Sequence, residues 1–265
     1  MKEIYSHRKS SLHGMHPGVK LVFTLVFIIF LNLTPAQAWP AYIFFYTFLL
    51  ALVLVSRIQL SILFQRTLLA TPFILAAIPL IFSANPPYYS ISLLPDVEIY
   101  LSLEGLQKFV SIAIKFFISI QAAILLTATT RFPDLLFAME RLKVPKLMVA
   151  IIGLAWRFLF VIRDVVLRMI RARTSRSSSL SSSSHSGGSL WWRARVTGVM
   201  AGSLFLRSIE CSDRIYAAML SRGYVGVPLP SFSKTISINR NEFLGLGFGI
   251  FLIVMIWIFG LFTGG

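Results

Sequence analysis

The amino-acid sequence predicts an all-α, polytopic membrane protein with about five transmembrane helices. Of its 265 residues, 56% are hydrophobic and only 13% are charged, whereas soluble domains carry about 25% charged residues. Long apolar runs recur along the chain, and a helix needs about 20 mostly apolar residues to cross a bilayer core. Basic residues cluster in the segments between these runs. These features exclude an ordinary soluble domain.

The N-terminal region, residues 1–130, is predicted to contain four spans. Pro72 and Pro79 lie within the third apolar run. Each proline removes a backbone N–H group, so we expect the third span to be kinked. Lys115 interrupts the fourth run. The four runs are residues 19–33, 41–55, 67–82 and 109–130.

The next region, residues 131–242, is predicted to form amphipathic helices rather than spans. In residues 147–173 an apolar stripe lies beside a displaced basic stripe. That pattern is typical of a helix that lies along a membrane interface or docks on a partner. A transmembrane placement of residues 147–166 stays open on hydropathy, because the cost of three charges there nearly equals the gain from apolar residues. Spanning would put a basic stretch outside, so we favour the interface.

A Ser-rich linker, residues 175–189, is predicted to follow, because Ser and Gly bury too little apolar surface to offset the entropy of ordering. Residues 191–222 form a second amphipathic segment. Gly223 is expected to cap the helix C-terminus, where a left-handed residue ends the hydrogen-bond ladder. The last region, residues 243–265, is predicted to be the final span, since its apolar run carries no charge.

The distribution of charge predicts the orientation of the chain in the plasma membrane. Seventeen of the 25 Lys and Arg residues lie between residues 131 and 240. Residues 83–107 contain acids but no Lys or Arg. Because cytoplasmic loops are enriched in basic residues, we expect a cytoplasmic N-terminus, an extracytoplasmic 83–107 segment and a cytoplasmic 131–242 region. The net charge of +15 therefore indicates membrane topology rather than nucleic-acid binding.

The residues that carry chemistry in enzymes and metal proteins are scarce. The chain has four His and one Cys, and it lacks phosphate-loop, H-E-x-x-H and CxxC motifs. We therefore expect no catalytic residues, no cofactor and no metal site. Lys115 is the single ionisable residue well inside a predicted span, and intramembrane charges are often functional. It either packs at a helix seam or lines the pathway of an ATP-independent carrier or channel.

Two segments resemble a known family. The sequence "RVTGVMAGSLFLRSIECSDRIYAAMLSRGYVG", residues 195–226, resembles the transmembrane (T) component of energy-coupling factor (ECF) transporters. The closest likeness is to the cobalt/nickel branch, the CbiQ proteins. The segment "LHGMHPGVKL", residues 12–21, is similar to that family's N-terminal signature. The likeness extends to the layout of four spans, a basic helical region and a final span.

The resemblance implies roles for two arginines. In that family, two coupling helices end in Ala-Arg-Gly-type motifs that dock on a pair of cytoplasmic ABC ATPase subunits. The second motif here is Ser221-Arg222-Gly223, and the first is Ala172-Arg173-Thr174, in which Thr replaces the usual Gly.

The resemblance also implies a separate membrane subunit (S) that binds the substrate. This chain, which is not expected to be an enzyme, would transmit ATPase motion to the S subunit for uptake of cobalt or nickel, or of a vitamin. The alternatives are the ATP-independent carrier or channel and an integral-membrane enzyme.

Labelling of single cysteines in a Cys211→Ser background tests the topology. A cysteine placed within residues 83–107 is expected to react with an impermeant thiol reagent added outside the cell. A cysteine at Ser183 should react only after the membrane is opened, because basic cytoplasmic segments are not translocated. Outside labelling at Ser183 would contradict the cytoplasmic placement.

Overall fold

The structure, a computed structural model, is helical and divides into two compact units. The first unit combines residues 1–142 with 234–265, and the second comprises residues 143–233. The predicted all-α, polytopic class is confirmed, with one β-hairpin as the exception. The structure describes residues 15–56, 58, 60–79, 88–94, 97–177, 189–224 and 240–264.

The helices are numbered in chain order. Those of the first unit are α1 (Pro17–Leu33), α2 (Trp39–Ser56), α3 (Leu60–Leu69), α4 (Leu103–Thr129), α5 (Phe132–Arg141) and α8 (Arg240–Thr263). Those of the second unit are α6 (Lys146–Ser177) and α7 (Leu190–Ser221). By its contacts, α5 belongs with the helices of the first unit. The predicted boundary at residue 130 separates membrane-spanning from cytoplasmic residues, and it stays a prediction.

Within the described ranges, three helices are long and apolar enough to cross a membrane. They are α2, residues 105–129 of α4 and residues 244–263 of α8, and they match the predicted second, fourth and last spans. Helix α1 is apolar but has only 17 residues, a length of about 25 Å at 1.5 Å per residue. It matches the predicted first span in position.

The predicted third span is broken rather than kinked. Helix α3 ends at Leu69, and a short 3₁₀ helix, Thr71–Ala77, follows. Pro72 lies in the first turn of the 3₁₀ helix. A proline cannot donate the backbone hydrogen bond that a continuous helix needs, and it disfavours α conformation in the residue before it. The continuation of this run beyond Pro79 lies outside the described residues.

The acidic segment 83–107 contains a β-hairpin. Strand β1 (Tyr88–Leu94) pairs antiparallel with β2 (Val97–Ser102), with Tyr88 opposite Ser102. Both strands are rich in Tyr, Ile, Leu and Val, which favour extended backbone. The hairpin was not predicted, because only the charge of this segment was considered. Helix α4 accordingly begins at Leu103.

The core of the first unit lies among α1, α2, α4 and α8, which contact one another in most pairings. Phe27 of α1 packs edge-to-face on Phe45 of α2 with ring centroids 5.6 Å apart. Phe30 packs in the same way on Trp257 of α8 at 5.5 Å. Such pairs contribute about 0.5–1.5 kcal/mol beyond simple burial. Aromatic side chains therefore set the spacing of these helices.

Gly260 sets how closely α8 approaches its neighbours. A Cβ atom at Gly260 would lie 3.0 Å from the Cβ of Ala41 and 3.1 Å from the Cγ2 of Thr34. Both contacts are tighter than ordinary van der Waals distances. Small residues at such positions allow the backbones of membrane helices to pack closely. Gly247, on the same helix, has no heavy atom within 4 Å of its Cβ position.

Replacement of Gly260 by Leu is expected to destabilise the first unit by about 1–3 kcal/mol, because overpacking forces neighbouring side chains and backbone to shift. Gly247→Leu is the matched control, and it should change stability by less than about 0.5 kcal/mol apart from helix propensity. Unfolding of the purified chain in detergent measures both. Equal destabilisation by the two variants would contradict the packing of α8 described above.

Candidate functional site

The second unit is built from two helices of 32 residues each. Helix α7 begins where the Oγ of Ser189 accepts a hydrogen bond from the N–H of Trp192 at 3.3 Å, an N-cap that satisfies one of the free donors of the first turn. Pro145 precedes α6 and accepts from the N–H of Met148 at 2.9 Å. The predicted amphipathic segment 191–222 therefore forms one continuous helix, as expected.

The C-terminal end of α7 confirms the predicted glycine cap. Gly223 has φ of +79°, a left-handed conformation that glycine adopts without the Cβ penalty. Its N–H donates to the carbonyl of Leu220 at 2.9 Å, and the N–H of Tyr224 donates to the carbonyl of Met219 at 3.0 Å. These two bonds form a Schellman motif. Arg222 is the C-cap residue, and its side chain is exposed.

The first predicted motif lies in a different setting. Ala172, Arg173 and Thr174 lie inside α6, which continues to Ser177. The expectation that this motif ends its helix was wrong, because Ser175 to Ser177 of the predicted linker extend α6 beyond it. Arg173 is half-buried, and its Nη1 donates to the Oγ1 of Thr197 on α7 at 3.2 Å. Residues 178–188 of the predicted linker lie outside the described residues.

The structure does not bring the two motif arginines together. Arg173 contacts α7 at Thr197, which is 25 residues before Arg222. Along a helix with a rise of 1.5 Å per residue, that separation is roughly 37 Å. One arginine therefore lies beside the beginning of α7, and the other lies at its end with Ser221 and Gly223, both exposed.

One side of α7 is apolar and uncovered, and we call it the open face. Trp191 is 82% exposed, Phe205 65% and Tyr216 57%. Gly198 and Gly202 lie on the same side, with no heavy atom within 4 Å of either Cβ position. The large residues of the open face are Trp191, Phe205, Ile209, Tyr216 and Leu220. No described residue of α7 is buried. Helix α6 therefore covers only part of the side of α7 that lies opposite the open face.

Lys115 lies in α4 and bonds to the end of α1. Its Nζ donates to the carbonyl oxygens of Thr34 at 2.6 Å and Asn32 at 3.1 Å. It also lies 5.9 Å from the ring centroid of Tyr42. The last carbonyls of a helix have no partner within the helix and carry its negative dipole. These contacts support a structural role for Lys115 in joining α1, α2 and α4.

A second lysine, which was not singled out from the sequence, also bonds to a helix end, at the other end of the α1–α4 pair. Lys20 of α1 is only 8% exposed, and its Nζ donates to the carbonyl of Thr129, the last residue of α4, at 3.2 Å. The backbone N–H of His16 lies 3.4 Å from the Oε2 of Glu242 at the start of α8. The one sequence signal for Lys20 is its position within the similar segment 12–21.

The part of the chain that the structure describes contains no group of three or more His, Cys, Asp or Glu residues that could hold a metal ion. His16 is buried, and its Nδ1 accepts a hydrogen bond from the N–H of Gly18 at 3.0 Å. His7 and His13 lie outside the described residues. Cys211 is a free thiol in α7.

Comparison with known proteins decides the family. The family described as "Cobalt transport protein" (CbiQ) matches residues 8–231. The chain belongs to this family. An uncharacterised protein of Methanocaldococcus jannaschii is 26% identical over 245 residues, which cover 91% of this chain and 81% of that protein. The family match over residues 8–231 includes α1 to α7, with Lys20, Arg173 and Arg222, and it ends before α8.

Two further relatives are named "Energy-coupling factor transporter transmembrane protein EcfT". The protein of Clostridium kluyveri is 25% identical over 249 residues, 89% of this chain and 87% of its own length. The protein of Bacillus selenitireducens is 28% identical over 227 residues, 82% of this chain and 81% of its own length. Membership in the CbiQ family makes this chain a multi-pass membrane protein of a transport family.

Cobalt or nickel is not expected to bind the purified chain alone with micromolar affinity, because divalent transition metals need several His, Cys or carboxylate ligands in one place. Calorimetric titration with Co²⁺ and Ni²⁺ measures this. The His13→Ala/His16→Ala double variant is the comparison. Stoichiometric micromolar binding that this variant abolishes would contradict the expectation.

Proposed function

We propose that this chain is the T component of an ECF-type ABC transporter. It transmits the ATP-driven motion of two cytoplasmic ABC ATPase subunits to a separate membrane subunit (S) that binds the substrate. The observation that carries the proposal is the open face of α7, which ends at the capped and exposed Arg222. An exposed apolar face of this length marks an interaction surface, and the chain itself performs no chemistry.

The end of α7 suits contact with a soluble partner. The Schellman motif fixes the backbone on both sides of Arg222, so the guanidinium projects from a defined position. A guanidinium offers a planar fork of donors that can bind a carboxylate through two hydrogen bonds. A carboxylate of an ATPase subunit is therefore the contact that we assign to Arg222.

The open face suits contact with a membrane subunit. Gly198 and Gly202 are four residues apart and uncovered, and small residues at this spacing let a second helix approach closely. Phe205 and Tyr216 provide large apolar contacts further along the same side. We therefore assign the S subunit to the open face, and the ATPases to Arg222 at the end of α7 and to Arg173 within α6.

The substrate proposed is a divalent metal ion, cobalt or nickel, because the family carries a cobalt-transport description. The relatives named EcfT carry no metal in their names, so uptake of a vitamin is the alternative that a transport assay separates. The contacts of Lys115 with α1 account for this charge without a transport pathway. They favour a coupling subunit over an ATP-independent carrier or channel.

The orientation belongs to the same proposal. Lys20 and Thr129 are in hydrogen-bond contact, so the beginning of α1 lies at the same end of the bundle as the end of α4. The charge distribution assigns that end to the cytoplasm. Helix α4 then leads through α5 towards α6 on the cytoplasmic side, where the ATPases bind.

Arg222→Ala is expected to weaken ATPase association or abolish coupled uptake, with the chain still inserted. Removal of one partner of a buried charged pair costs about 2–5 kcal/mol, much of it from the carboxylate left unpaired. Arg222→Lys should restore function only in part, since lysine keeps the charge but lacks the fork. Co-purification of the ATPases and uptake of radioactive Co²⁺ into proteoliposomes are the measurements.

Arg214→Ala is the matched control on the same helix. Arg214 pairs with Glu210 at 3.5 Å, and both side chains are more than two-thirds exposed, so its loss should cost only about 0–1 kcal/mol. Arg173→Ala should resemble Arg222→Ala. Thr197→Val removes the partner of Arg173 without removing its charge, and it distinguishes a tie between helices from an ATPase contact. Parental association and uptake in Arg222→Ala would exclude the proposed role.

A further inference from the structure

Four helix ends contribute to a polar cluster in the first unit, which we call the helix-end junction. Its members come from the beginning of α1, the end of α4, the beginning of α5 and the beginning of α8. They are His16, Lys20, Thr129, Asp134 and Glu242. The proposed function uses the Lys20–Thr129 contact only to orient the bundle, and it gives none of these residues a part in coupling.

Lys20 is the centre of the helix-end junction. The residue is only 8% exposed, and its ammonium donates to the carbonyl of Thr129 at 3.2 Å. The carboxylates of Asp134 and Glu242 attract it electrostatically. A charge at such depth is stable only when it has hydrogen-bond acceptors and opposite charges around it. The ammonium therefore holds the end of α4 on α1, and it attracts the carboxylate of Asp134 in the first turn of α5.

Helix α8 joins the same cluster through its first turn. The Oε2 of Glu242 accepts from the backbone N–H of His16 at 3.4 Å, and Glu242 also contributes to the field at Lys20. His16 in turn caps α1, because its Nδ1 accepts from the N–H of Gly18 at 3.0 Å. Four helices are thus tied by charges and by hydrogen bonds to their ends, rather than by apolar packing alone.

The chain path makes this location important for coupling. Only residues 130 and 131 separate α4 from α5, and only residues 142–145 separate α5 from α6. Helix α5 packs on α1, with Ala138 fully buried. A displacement of α6 by an ATPase subunit therefore reaches α5 first along the chain. It reaches the spans only if α5 is firmly held to them.

We propose that Lys20 is a positioning residue for the coupling step, because it makes α5 move with α1, α4 and α8 as one body. This inference rests on the proposed function and adds a residue for which the similarity to known proteins gives no role. Loss of the ammonium removes the hydrogen bond to the end of α4 and the attraction to Asp134 together. Helix α5 can then shift without the spans.

The chain provides a matched control. Lys115 also caps the end of one helix of the α1–α4 pair from within the other, through two hydrogen bonds. It caps α1 rather than α4, at the far end of the pair, and no contact with α5 is described for it. Lys115→Met and Lys20→Met therefore remove the same chemistry from the same helix pair, and only Lys20→Met releases α5.

The experiment measures the distance between α1 and α5 in the complex with the ATPases. Leu25 on α1 and Glu140 on α5 are exposed, so each can carry a spin label in a Cys211→Ser background. In the parent and in Lys115→Met, the distance should be the same without nucleotide and with ATP bound. In Lys20→Met it should change or broaden when ATP binds, and Lys20→Arg should restore the parental result.

Uptake of radioactive Co²⁺ per ATP hydrolysed provides a second readout. Residues along a coupling network change coupling by about 2- to 30-fold. Lys20→Met should lower the ratio within that range, whereas Lys115→Met should lower uptake and hydrolysis in proportion. Asp134→Asn keeps the lysine cap on α4 and removes the charge on α5. It should also lower the ratio, and it provides the test if Lys20→Met does not fold.

An unchanged α1–α5 distance in Lys20→Met, or in Asp134→Asn if that variant replaces it, would overturn the inference while the proposed function stands. A distance that already changes in the parent would have the same meaning. If the parent chain does not bind the ATPases, the proposed function falls and the inference falls with it.

Discussion

The carbonyl groups at the ends of membrane helices constrain the first unit more than any other feature. They have no partner within the helix, and where the helix end is buried from water another group must replace one. In α1 and α4 the solution is reciprocal, since Lys20 caps α4 and Lys115 caps α1. On each helix the lysine and the capped carbonyl are 14 residues apart. Two ties with equal spacing fix the antiparallel register, against which α2 and α8 pack.

The second unit follows the opposite principle, because much of the apolar surface of its described residues is exposed. Helix α7 has regular caps at both ends, yet none of its described residues is buried. The caps specify where the helix begins and ends, while its faces remain available. Such a helix gains most of its stability from a surface that another molecule supplies. A subunit that works only within a complex is expected to have this character.

The two lysines show why an intramembrane charge needs its contacts before it can be assigned a role. Lys115 stood out because it interrupts an apolar run, whereas Lys20 lies at the edge of one. In the structure Lys20 is the more deeply buried of the two and the one joined to α5 and α8 through acidic neighbours. The local sequence shows the charge of a lysine. It does not show which helix end the ammonium reaches.

The sequence by itself determined the helical membrane class, the amphipathic helix at 191–222 and the cap at Gly223, because these depend on composition, on a period of 3.6 residues and on one backbone conformation. The family was also visible in local segments. Only the tertiary structure decided the break before Pro72, the hairpin at Tyr88–Ser102, the contact of Arg173 with Thr197 and the junction around Lys20. The break and the hairpin depend on which of several competing local preferences prevails. The two contacts depend on which groups distant in sequence come together. That balance is set when the helices pack.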